Sequence, residues 1–301
     1  KKQQNSNRSL LKTLLILFIS YTTVGLCNNG FFSVLPFVAE EFNLTRVQIG
    51  YFPAFYFTSA ALLAIISGSI VDIFGPKKSI LGGMCCMGIT LFFYGLSPSY
   101  NLILFLAIFT GLGMSILTPS VVKGASRVVP SGKQSFYLGI VQTGYSVGSI
   151  VGPSLLTIIA FHFNWRISIQ SIAVLTILIV FMTHIFYQER SIRPDNENFV
   201  DSTNVLEDEN QLNIWISFKN TLLHALIDKS LFLTCILGMV YGIAEGSAFS
   251  HYTIFLTRDL GLSKIITGFG FAIIYIGGLI GMIALGWISD SFFKGNKPMF
   301  L

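Results

Sequence analysis

Phe42-Asn-Leu-Thr-Arg-Val-Gln-Ile-Gly50 opens a stretch that closes on Gly68-Ser-Ile-Val-Asp72, and Leu260-Gly-Leu-Ser-Lys-Ile-Ile-Thr-Gly268 opens another that closes on Gly286-Trp-Ile-Ser-Asp290. The two align without a gap at an offset of 218 residues. Leu44 falls on Leu262, Thr45 on Ser263, Arg46 on Lys264, Gly50 on Gly268, Gly68 on Gly286, Ile70 on Ile288, Asp72 on Asp290 and Phe74 on Phe292. Each copy is a polar turn, an apolar run long enough to cross a bilayer, and a Gly-x-x-x-Asp ending. A long-period parallel repeat of this kind predicts a membrane protein built from two similar halves.

Composition agrees. The 301 residues are 52% hydrophobic and 11% charged, with a mean hydropathy of +0.70. A soluble domain carries about 25% charged residues, so this chain must turn much of its surface to lipid. Apolar runs of roughly 18 or more residues predict eight crossings, at 13–38, 47–71, 79–98, 102–123, 136–160, 167–187, 230–256 and 264–288. Cys27, Cys85, Cys86 and Cys235 all sit inside these runs. They lack metal-site spacing with histidine and read as small apolar residues.

Charge sets the topology. Alternate loops hold Lys1, Lys2, Arg8, Lys12, Lys77, Lys78, Lys123, Arg127, Lys133, Arg190, Arg193, Lys219, Lys229, Lys294 and Lys297; the others hold only Arg46, Arg166, Arg258 and Lys264. The positive-inside rule puts the N-terminus, residues 188–228 and residues 289–301 in the cytoplasm. The net charge of +5 is then topological and points away from nucleic acid. Three domains follow: a six-helix bundle over 1–187, a cytoplasmic linker over 188–228 with an amphipathic helix in 211–227, and the start of a second bundle over 229–301. Six crossings precede the linker and two follow. The repeat predicts six after it, so the chain reads as part of a twelve-helix protein.

Gly68-Ser-Ile-Val-Asp72-Ile-Phe-Gly75-Pro-Lys77-Lys78, between crossings 2 and 3, resembles the signature loop of the major facilitator superfamily. The shorter copy ending at Gly286 and Asp290 sits after crossing 8, where that family repeats it. Gly148-Ser-Ile-Val-Gly152-Pro153 in crossing 5 is similar to the family's Gly-Pro bend, and Trp165-Arg166 opens crossing 6 as the family pattern does. Gly111-Leu112-Gly113 matches the family's crossing 4, but Ala107 holds the position of its Arg, and Ile73 stands for the Arg after Asp72. The resemblance implies an all-α bundle with a 6+6 pseudo-twofold. It also implies a conformational latch at Gly68, Asp72, Gly75, Lys77, Lys78, Gly286 and Asp290, with Asp290 facing the start of crossing 5 around residues 134–136.

Glu245 is the one carboxylate well inside a crossing, about 22 Å from the start of crossing 7 at 1.5 Å per residue. An ionised carboxylate there costs at least about 2.5 kcal/mol, so it must face water, pair or hold a proton. Its two readings are a coupling or substrate carboxylate and a pin between helices. At the 218 offset Asn28 and Asn29 fall on Gly246 and Ser247, level with Glu245. Tyr241 lies one turn below Glu245. Together with Gln142 in crossing 5 these are the candidate solute-binding or coupling residues; singly, each amide can equally join two helices. Gly144, Gly148, Gly152 and Pro153 read as helix packing. Lys123 closes crossing 4 and is expected to reach the inner surface.

The expectation is a secondary transporter of a small organic metabolite or organic anion, working by alternating access and coupled to protons. It would sit as a monomer in a bacterial inner membrane, with the bilayer, the solute and protons as its partners. Drug or metabolite efflux is the alternative within that class; a channel or membrane receptor is the alternative outside it. No phosphate-binding loop, metal cluster or nucleophile–base set is visible, so neither an enzyme nor a cofactor is expected.

Overall fold

A computed structural model describes residues 2–129, 134–187, 228–229, 232–233, 236–237, 240 and 251–292. Among the described residues six α-helices carry the fold: α1 (Lys2–Glu41), α2 (Arg46–Leu96), α3 (Tyr100–Ser126), α4 (Gln134–His162), α5 (Trp165–Phe186) and α6 (Lys264–Phe292). Among the described residues seven segments are long and apolar enough to span a membrane. They correspond to crossings 1–6 and 8; most of crossing 7 lies outside the described residues.

Crossings 2 and 3 are two helices that meet directly across a sharp kink, with no loop between them. Within α2 only Gly75 leaves helical geometry, at φ 78° and ψ 159°. That region is open to glycine alone, and Pro76 follows with its φ preset for a helix start. The chain therefore doubles back at one residue. Phe52 on the first arm meets Tyr94 on the second, with ring centroids 6.1 Å apart, and Phe31 of α1 packs on both.

The repeat is visible in the backbone. Asn43 and Gly261, 218 apart, both take positive φ (51° and 65°). Thr45 caps α2 in a reciprocal box with Gln48, and its counterpart Ser263 accepts from Ile266 N at the start of α6. The copies differ in one respect. Leu44 N donates to Ala39 O, five residues back, whereas Leu262 N donates to Leu256 O, six back. The added residue is absorbed by a π-turn over Phe255–Asp259. Upstream of that turn the offset becomes 217, which brings Gly25 onto Gly242 and Phe32-Ser33 onto Phe249-Ser250. Asn28 then falls on Glu245 instead of Gly246.

α1 lies centrally, packed chiefly on α4, while α2 packs on α3 and α5, and α6 on α4. Backbone contact between α1 and α4 depends on small residues. A Cβ at Gly148 would run into Thr22 O, and one at Gly144 or Gly152 would lie 2.7 Å from Phe18 O or Leu26 O. Outward-facing Leu62, Phe105, Phe181, Ile185 and Ile273 stay exposed, as a lipid-facing surface requires.

Two ends can be told apart. At the basic end, Asp72 pairs with Lys123 Nζ, and the Tyr187 hydroxyl lies against Gly124 beside Pro76. Lys123, expected to reach the surface, thus meets a carboxylate at the membrane edge. At the charge-poor end, Glu41 accepts from Arg166 Nη2 and from Trp165 Nε1, both at 2.5 Å. Arg166 also donates to Ser97 O at 2.6 Å, so one guanidinium joins the ends of α1, α2 and α5. Burial pushes the Glu41 pKa up, but these two donors and the Arg166 charge outweigh it and hold the carboxyl below its ordinary value.

Candidate functional site

Asn29 lies 12 residues before the end of α1, about 18 Å from that end, and Tyr275 lies 11 residues into α6, about 17 Å from its start. Both are at mid-depth. The α1–α4 glycine contact brings Tyr145 and Ser149 beneath the two asparagines. Asn29 donates from Nδ2 to Ser149 Oγ at 2.8 Å, with Tyr145 Oη at 3.3 Å and Gly25 O at 3.4 Å. Its Oδ1 accepts from the Tyr275 hydroxyl at 2.7 Å. One amide, 1% exposed, therefore joins two helices of the first half to one of the second.

Asn28 is different. Its Nδ2 donates to Tyr145 Oη at 2.6 Å, but among the described residues its buried Oδ1 has no partner, and neither has the Tyr56 hydroxyl. Tyr56 lies near Tyr145 and Tyr275. A buried polar atom without a hydrogen bond costs about 1–3 kcal/mol, so the cluster has spare capacity for a hydrogen-bonding guest. It is a set of neutral amides and hydroxyls that can bind a solute and reorient it, with no nucleophile–base pair among them. Among the described residues no three His, Cys, Asp or Glu side chains gather to hold a metal.

The expected residues are distributed as follows. Asn28 and Asn29 sit at the centre of the cluster. Gln142 is exposed on α4, one turn toward the basic end from Tyr145. Glu245 and Tyr241 lie outside the described residues, as does the side chain of Asp290. Of the latch residues, Asp72 is held by Lys123, Gly75 makes the reversal, Lys77 and Lys78 follow it, and Gly68 faces open space. Tyr56, Tyr145, Ser149 and Tyr275 are new to the site. An apolar groove of about 260 Å³ between α2 and α5, lined by Gly88, Ile89, Phe92, Ala173 and Ile177, offers a polar solute nothing.

Among the described residues, seven apolar spans, a duplicated turn and a buried polar cluster where the two repeats meet define a multi-pass membrane protein. Residues 17–301 match the Major Facilitator Superfamily, and the chain belongs to that family. It is 20% identical to the membrane sensor protein UhpC of Salmonella typhimurium, over 95% of this chain and 66% of that protein. It is also 20% identical to the hexuronate transporter of Bacillus subtilis, over 96% of this chain and 66% of that one. Multidrug resistance protein 2 of Bacillus subtilis is 24% identical over 66% of this chain and 51% of its own length. In fold, the chain is similar to a bacterial homolog of the human lysosomal transporter Spinster in an inward-facing, unoccupied conformation. The TM-score is 0.70 at 17% identity, over 94% of this chain and 63% of that one. The chain thus spans about two thirds of the relatives it matches along its whole length.

Proposed function

We propose that the chain belongs to a secondary transporter that moves a small organic solute by alternating access. The observation that carries this reading is the Tyr275–Asn29 hydrogen bond at mid-depth. A solute held there contacts both halves and is released when they part. In this reading residues 1–187 form the first bundle, 188–228 a cytoplasmic connection, and 229–301 belong to the second bundle. The protein is a monomer in a bacterial inner membrane with its N-terminus in the cytoplasm.

Asn28, Asn29, Gln142 and Tyr241 bind solute in this scheme, with Tyr145, Ser149 and Tyr275. Glu245 carries the coupling proton. The π-turn register supports that role, because it makes Glu245 the repeat partner of Asn28, whose carbonyl oxygen has no partner among the described residues. Gly68, Asp72, Gly75, Lys77, Lys78, Gly286 and Asp290 form the cytoplasmic latch. The matches to a hexuronate transporter and to multidrug resistance protein 2 support an organic solute and leave uptake and efflux as the two directions to test.

The test uses the full-length protein in vesicles, with candidate organic acids, sugars and drugs presented with and without a pH gradient. Glu245→Gln should abolish gradient-driven accumulation and spare solute exchange, because neutral Gln mimics the protonated carboxyl. Normal accumulation in this variant would remove Glu245 from coupling. A second reading, favoured by the match to UhpC, is a membrane receptor that binds solute without moving it; binding that Asn29→Ala weakens, with no flux for any bound solute, would establish it.

A further inference from the structure

At the charge-poor end the duplicated turn meets its own copy. Arg46, in the first turn, pairs through Nη2 with Asp259 Oδ1 at 2.5 Å. Lys264, the residue that replaces Arg46 in the second turn, reaches back to Glu40 and lies 4.4 Å from the centroid of the Phe37 ring. Arg258 points both Nη1 and Nη2 at Leu44 O, each at 3.2 Å. All three cations reach from one half to the other. The fourth cation of this end, Arg166, holds Glu41 within the first half. That leaves Glu40 free for Lys264. The π-turn aids the arrangement, since it places Arg258 and Asp259 side by side facing the first copy.

We infer that these contacts form a reciprocal clasp that closes the outer end of the protein and must break as a unit before solute can enter or leave there. The inference rests on the alternating-access reading. Exposed ion pairs are weak singly; breaking one shifts an equilibrium by about 1.5- to 5-fold. Opening breaks every contact at once, so their effects multiply. Both ion pairs are partly solvent-exposed and are screened by salt, so raised ionic strength favours opening.

Thr157 is a suitable reporter. It is fully buried on α4, against Gly268 near the start of α6, so separating the halves at this end uncovers it. In the full-length protein with its native cysteines replaced, Thr157→Cys is labelled from outside by a membrane-impermeant maleimide. Arg46→Asp, Asp259→Arg and Lys264→Glu should each speed labelling about 1.5- to 5-fold, and Arg46→Asp combined with Lys264→Glu about 2- to 25-fold. Combining Arg46→Asp with Asp259→Arg should bring the rate back toward that of the parent, which a merely damaged fold would not do. Unchanged labelling in the single variants, or a swapped pair as fast as its faster parent, would overturn the clasp. Labelling needs no solute, so that failure leaves the transport reading untouched, and absent transport leaves the clasp to be judged by labelling alone.

Discussion

Replacing Asn29 and Tyr275 singly and together tests whether the central amide ties the halves. Tyr275→Phe removes one hydroxyl and leaves Asn29 Oδ1 without its donor. Asn29→Ala removes the side-chain bonds to Ser149, Tyr145 and Tyr275. Interhelical hydrogen bonds within membranes are worth about 0.6 kcal/mol on average and about 1.7 at most. Three of them make Asn29→Ala destabilising by about 2 kcal/mol, with Tyr275→Phe nearer 1. The shared bond is short and its acceptor is fully buried, so the double variant should fall short of the sum by about 0.6–1.7 kcal/mol. Reversible unfolding in mixed micelles, followed by circular dichroism or steric trapping, measures all four corners of the cycle. Effects that add to within about 0.3 kcal/mol would mean that no energetic tie exists there, and the site would lose its claim to couple the halves.

Gly148→Ala should lower stability by about 1–3 kcal/mol, because the new methyl meets the Thr22 carbonyl, which cannot move aside like a side-chain tip; Gly82→Ala, with open space around it, is the neutral control, and equal thermal midpoints in detergent would contradict the α1–α4 contact. Gly75→Ala should cost about 1–3 kcal/mol through backbone strain alone; a melting curve like that of the parent would mean that the reversal does not need glycine. The depressed Glu41 pKa gives stability that is complete above the ordinary carboxylate range and is lost as pH falls through the lower folded value. With 39% of the side chain exposed, that amounts to about 1 kcal/mol or less after screening. The difference in thermal midpoint between parent and Glu41→Gln should therefore narrow between pH 7 and pH 3; a constant difference would remove the carboxylate from the Arg166 clamp.

Crossings, repeat and family were legible because each is a linear signal: run length, a fixed offset, and a loop motif between helices. Asn28 and Asn29 were legible because two adjacent amides are costly in an apolar run. Tyr56, Tyr145, Ser149 and Tyr275 were not. A hydroxyl within an apolar helix can satisfy itself on its own backbone, as Ser149 does on Tyr145 O. Only the contact of four helices picks out these few hydroxyls from the many others. The Asp72–Lys123 pair was hidden because its partners are 51 positions apart. The one-residue shift in register left no mark after residue 260, where the copies align without a gap. Only the different reach of the Leu44 and Leu262 amides exposes it.

That shift bears on how a duplicated chain survives editing. Adding one residue to an ordinary α-helix swings everything on its far side by about 100° and slides it 1.5 Å. A membrane helix treated so would turn its lumen side chains into oil. The widened turn at Phe255–Asp259 takes up the newcomer locally, where water can solvate the loosened carbonyls. The difference in length is thereby confined to the rim, and matching positions of the two copies can carry different side chains, an amide at Asn28 in one and a carboxylic acid at Glu245 in its twin.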